Sequence, residues 1–101
     1  MKPKYTPDQV MDACYDLIEP DLMQGVLSRG QFGGDVKMAR EMVCGAVMTL
    51  ANASAAETGR LMCRYHPSVL VMGKRFAVWP EVMRRTWLEV VEKHLETKPW
   101  I

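Results

Sequence analysis

The stretch Ser54-Ala-Ala-Glu57-Thr-Gly59-Arg-Leu-Met-Cys63-Arg64-Tyr65-His66-Pro67-Ser68-Val69 limits most sharply what this chain can fold into. Ser54 and Glu57 have the Ser-x-x-Glu spacing of a capping box, in which each side chain satisfies the other residue's backbone N–H, so a helix starts at Ala55. Cys63, Arg64 and Tyr65 then break the apolar pattern. Pro67 has no amide hydrogen and suits the first position of a new helix, with His66 just outside it. The stretch therefore reads as a short helix, a tight turn and a second helix over about 67–77. Its leading edge, Pro67, Ser68 and their neighbours, lies where amides and helix dipole favour phosphate.

The rest of the chain is also read as helical. Thr6-Pro7-Asp8-Gln9 is another capping box, and Val10, Met11, Cys14, Leu17 and Ile18 recur at helical spacing, which predicts a helix over about 7–18. Glu19-Pro20 ends it, because the residue before proline avoids helical geometry. Asp21 caps one or two turns reaching Leu27. Ser28 to Gly34 is a loop with three glycines but without the Gly-Lys-Ser/Thr of a P-loop, so it reads as a connector. Asp35 is the expected cap of a core helix over about 36–51, with Val36, Ala39, Val43, Ala46, Val47 and Leu50 on one stripe. Gly45 within it costs about 1 kcal/mol relative to alanine unless a close helix approach needs it. In the second helix of the 54–77 pair, Val69, Met72 and Phe76 face inward. Pro80 opens a last helix over about 80–97, with Met83, Trp87, Val90, Val91, His94 and Leu95 as its apolar stripe. No segment alternates strongly enough for a strand. The expected fold is all-α: one domain over residues 1–101, with five or six helices including a helix-turn-helix.

Composition narrows the function classes. Aliphatic, aromatic and sulfur residues make up 49% of the 101 residues, enough for a packed interior. No apolar run approaches the ~20 residues of a membrane span, and the first residues lack the apolar centre of a signal peptide, so a cytoplasmic protein is expected. Three cysteines without a secretion signal do not read as a disulfide framework. Cys63-x-x-His66 has no second pair at zinc-like spacing, so no metal is expected. No catalytic order of residues and no nucleotide box is present, so neither an enzyme nor a cofactor is expected. The net charge is only +1, but it is uneven. Residues 1–28 carry −3, residues 29–75 carry +4, and residues 76–101 balance. Phosphate contacts need local charge rather than a basic average, and the excess falls on the helix-turn-helix region.

The stretch 54–69 resembles the signature of the C-terminal double-stranded-DNA-binding domain of the bacterial replication initiators, the DnaA family. That signature reads Ser-Leu-x-Glu-Ile-Gly-x-x-Phe-Gly-Gly-Arg-Asp-His-Ser/Thr-Thr-Val. Ser54, Glu57, Gly59, Arg64, His66, Ser68 and Val69 stand at matching places once one residue is deleted from the turn. Thr6 to Val10 resembles the family's opening helix, and Val36-Lys37-Met38-Ala39-Arg40 its Val-x-x-Ala/Pro-Arg run. The likeness spans about Thr6 to Phe76. Tyr65 departs from it by replacing the family's Asp, Pro67 by replacing a hydroxyl residue, and Met62-Cys63 by replacing Phe-Gly-Gly. The chain has no room for the family's ATPase domain. The resemblance implies a Trp-repressor-like helix-turn-helix fold and a free-standing domain that binds double-stranded DNA as a small transcriptional or replication regulator.

The resemblance also assigns site residues. It makes His66 a base or phosphate contact, although its local sequence alone reads as a surface or cap histidine. Arg64 and Arg40 become backbone contacts, against the reading of ordinary solvated charge. Arg29 stands in the loop that reaches the minor groove in the family. Lys37, Tyr65, Pro67 and Ser68 join the expected DNA face, and Lys74-Arg75, about two turns into the groove helix, are placed to touch phosphate, against the equally ordinary reading of a solvated basic pair. The alternative is a protein-interaction module that kept the fold, lost DNA binding, and docks a partner or a second copy through its Met/Trp-rich final helix.

Overall fold

A computed structural model describes residues 4–28, 30 and 33–98, and among them it holds six helices and no strand. They are α1 (Pro7–Leu17), α2 (Pro20–Leu27), α3 (Gly34–Leu50), α4 (Ala55–Met62), α5 (His66–Ala77) and α6 (Glu81–Thr97). No helix among these residues is long and apolar enough to cross a membrane.

Both capping boxes form. Gln9 N donates to Thr6 Oγ1 at 3.2 Å and Thr6 N to Gln9 Oε1 at 3.0 Å. Glu57 N donates to Ser54 Oγ at 3.1 Å and Ser54 N to Glu57 Oε1 at 3.0 Å. Each box satisfies two of the amides that a helix start leaves open. The other helix starts shift by a residue or two from the expected ones. Glu19, not Asp21, is the N-cap of α2, because Pro20 occupies its first position and places Asp21 in the first turn. Gly33, not Asp35, is the N-cap of α3. His66 is already helical in α5, and Pro80 is the cap of α6 rather than its first residue.

α3 is the central helix and packs against all five others. Its Val43, Cys44, Ala46 and Val47 are fully buried with Val10 and Cys14 of α1, Val26 of α2, Met62 of α4, Val69 of α5 and Val91 of α6. Gly45 is needed here, because a Cβ would run into the Phe76 ring where α3 meets α5. Two tryptophans tie the C-terminal part of the chain to α3. Trp87 Nε1 donates to the Met42 carbonyl at 2.8 Å, and Trp79 Nε1 to Glu41 Oε1 at 2.9 Å. The stripe expected on α6 is narrower than its pattern implied. Trp87, Val91 and Leu95 are buried, whereas Met83 and Val90 are exposed. Asp16 of α1 is also paired, accepting from Lys98 Nζ at 2.8 Å and lying 2.9 Å from His94 Nε2.

Candidate nucleic-acid interface

The turn between α4 and α5 depends on close backbone packing. Arg64 N donates to the Gly59 carbonyl at 2.8 Å and Cys63 N to the Arg60 carbonyl at 3.4 Å. To close the turn, Cys63 takes the left-handed conformation, with φ 57° and ψ 43°, a region that costs a residue bearing a Cβ free energy. Gly59 faces the returning chain so closely that a Cβ would lie 2.5 Å from the Arg64 carbonyl oxygen. Any side chain at 59 would push the second helix away from the first.

α5 then begins with its end open to solvent. Tyr65 is the N-cap but makes no side-chain capping bond, and it is 78% exposed. His66, Pro67 and Ser68 follow, all exposed. The positive end of the helix dipole is therefore not answered by a side chain of the cap. A concavity of about 360 Å³ lies beside this edge, lined by Gly59, Arg60, Cys63, Arg64, Tyr65 and Ser68. Lys74 and Arg75 lie exposed in the last turn of the same helix. No residue from His66 to Ala77 carries a carboxylate.

The structure separates the expected site residues into distinct groups. Tyr65, His66, Pro67 and Ser68 come together at the leading edge, with Lys74 and Arg75 two turns further on. Lys37 is exposed in the first turn of α3. Arg29 lies outside the described residues. Arg40 and Arg64 are not ordinary solvated charge: Arg40 is buried and Arg64 half-buried, and both guanidinium groups bond to backbone carbonyls of the chain. Arg40 is 9% exposed, and its Nη2 donates to the carbonyls of Gly25 at 3.1 Å, Ser28 at 3.0 Å and Gly30 at 3.0 Å. Arg64 Nη2 donates to the carbonyls of Val26, at 3.1 Å, and Ser28. The physical reason lies in α2. It ends with carbonyls that have no onward helical partner and has no basic residue in its last turn. Two guanidinium groups from α3 and from the α4–α5 turn fill that role. Burial, and then the adjacent charge of Arg64, draw the Arg40 pKa below its usual range.

Some functional candidates were missed in the sequence. Arg60 is exposed in the last turn of α4 and lines the concavity beside α5. As the basic residue closing the first helix of the 54–77 pair, next to the turn, it was identifiable from the sequence. Leu70 and Val71 are 45% and 48% exposed on α5. The inward spacing of Val69, Met72 and Phe76 already implied that these two point elsewhere.

The thiols differ in kind. Burial pushes Cys14 and Cys44 up to about 12, whereas Cys63 is exposed in the turn. Among the described residues no three metal-capable side chains cluster, so Cys63 and His66 have no third ligand there. No family model, curated protein or solved structure matches this chain.

Proposed function

We propose that the chain binds double-stranded DNA, with α5 entering the major groove behind its leading edge of Tyr65, His66, Pro67 and Ser68, and that it acts as a small regulator of transcription or replication. The observation that supports this most is the combination found on α5. A solvent-open helix start projects from a tight turn on a rigid core, no carboxylate lies along the helix, and Arg60, Lys74 and Arg75 surround it. Helix starts of this kind dock on phosphate, and side chains at the start of a groove helix meet base edges. In this reading Arg60, Lys74 and Arg75 hold phosphates. Arg40 and Arg64 bond to the carbonyls of Gly25, Val26, Ser28 and Gly30 and leave the DNA to others.

The second reading, a module that docks a protein partner or a second copy, draws on exposed Val82, Met83 and Val90 along α6. Polarisation titrations with random-sequence duplex DNA at low and moderate salt separate the two. The DNA reading expects binding at low salt that weakens as salt rises. Failure to bind any duplex at low salt would leave the protein-docking reading.

A further inference from the structure

The outward row of α5 is not polar along its length. Pro67, Val71 and Lys74 follow at i, i+4 and i+7, on the face opposite the buried Val69 and Phe76. Val71 and its neighbour Leu70 are about half exposed. These aliphatic side chains sit in the middle of the helix that the reading above places in the groove, and the inference rests on that reading.

We infer that α5 selects thymine, and that Val71, with Leu70 beside it, is the specificity-determining contact to the thymine C5-methyl group. In the major groove, guanine offers N7 and O6, adenine N7 and the N6 amino group, and cytosine the N4 amino group. Each of these would lose water against an aliphatic side chain and gain no hydrogen bond in return. Thymine alone presents a methyl group that Val71 can cover. The charge around the row favours DNA over a protein as the occupant. Lys74 continues the row, Arg75 flanks it and Arg60 stands on α4 beside the leading edge, so cations border the apolar centre as phosphates border the groove floor. Val71 lies four residues beyond Pro67, which is roughly 6 Å along the helix at 1.5 Å per residue. The thymine it covers therefore stands within about two base pairs of the base met at the leading edge, at 3.4 Å per step.

The test uses the intact protein and a pool of random-sequence duplexes enriched by repeated rounds of binding. The best duplex is then synthesised twice, once with thymine and once with deoxyuridine, which pairs identically but lacks the methyl group. The wild type should bind the deoxyuridine duplex about four-fold more weakly for each methyl it covers. Val71→Ala, at an exposed position and with its fold checked by circular dichroism, should lose most of that ratio. Lys74→Ala should weaken both duplexes alike and keep the ratio. Equal wild-type affinity for the two duplexes would overturn thymine selection, and a full ratio in Val71→Ala would overturn the assignment of Val71 as its contact, both leaving DNA binding in place. Failure to enrich any duplex at low salt would overturn both.

Discussion

Arg40 and Arg64 converge on one acceptor, the Ser28 carbonyl, although one comes from α3 and the other from the α4–α5 turn and both carry the same charge. Arg40 also reaches Gly25 and Gly30, and Arg64 reaches Val26. The two cations thereby connect the core helix, the turn of the helix-turn-helix and the end of α2. Their mutual repulsion is tolerated because several carbonyl dipoles point at them.

This arrangement makes Arg40 a stability residue. Arg40→Met keeps much of the apolar stem but removes the donors, leaving the Gly25 carbonyl without one of its partners in a buried setting. Loss of a charge-assisted bond of this kind costs about 2 kcal/mol. Urea unfolding should show that loss as a lower midpoint with an unchanged slope. A change under about 0.5 kcal/mol, the range of ordinary surface substitutions, would mean that the clamp contributes nothing.

The turn offers a test of opposite sign. Cys63 bears a Cβ in the left-handed region, which costs roughly 1–2 kcal/mol relative to glycine. Cys63→Gly should therefore stabilise the fold by about 0.5–1 kcal/mol once the greater freedom of glycine in the unfolded chain is subtracted. Gly59→Ala should do the reverse, because its Cβ meets backbone rather than a movable side chain. Thermal melts of the two variants should move in opposite directions from the wild type. A lower melting temperature for Cys63→Gly would contradict the turn geometry.

Asp16 sets part of the acid limit. Hydrogen bonds from Lys98 and then from His94 hold its carboxyl below the usual carboxylate range. A folded-state pKa below the unfolded one contributes stability that is complete above the unfolded value, near 4, and is lost as pH falls through the folded value. Wild type should thus lose more stability than Asp16→Asn between about pH 5 and pH 2. Parallel urea midpoints for both proteins over that interval would show that the pairing does not bias folding.

The fold was legible in the sequence wherever a local rule acted alone. The two capping boxes place Thr6 and Ser54, and the 3.6-residue spacing of Val43, Ala46 and Val47 marks the buried face of α3. Long-range demands were not legible in the same way. Arg40 and Arg64 look like surface charge because their acceptors, the carbonyls of Gly25, Val26, Ser28 and Gly30, lie 10 to 38 residues earlier in the chain. Backbone carbonyls leave no mark in a residue pattern. The α6 stripe was read too wide because periodicity shows which residues could face inward, while the reach of α1 and α3 decides how many do. Within the candidate site, the exposed start of α5 at Tyr65 to Ser68 follows from the position of Pro67 in the sequence. The half-exposed pair Leu70 and Val71 is outward by the spacing of Val69, Met72 and Phe76, but an aliphatic side chain carries no charge or hydrogen-bonding group that marks it as a contact.

Lys74 and Arg75 should behave as phosphate contacts under the proposed function. Both are exposed and stand in the last turn of α5, away from its leading edge. Each alanine variant should weaken binding to specific and random duplexes alike and reduce the slope of log affinity against log salt by roughly 0.9. Arg40→Met and Arg64→Met, by contrast, should change that slope little beyond what their altered folding accounts for. If Lys74→Ala and Arg75→Ala both keep the wild-type slope, the last turn of α5 does not face DNA.

His66 is the counterpart at the other end of the helix. It is exposed in the first turn, beside the uncapped start, where under the proposed function a side chain meets base edges rather than backbone. An imidazole can donate from one ring nitrogen and accept at the other, so it can discriminate among bases that a lysine charge cannot. His66→Ala should therefore weaken binding to the selected duplex by about 1–3 kcal/mol and leave random-duplex affinity nearly unchanged. The salt slope should stay at its wild-type value, because no phosphate contact is lost. Competition of labelled selected duplex against unlabelled random duplex measures the two affinities in one experiment. Equal losses on both would make His66 a backbone contact, and base reading would then fall to Ser68, Tyr65 and Val71.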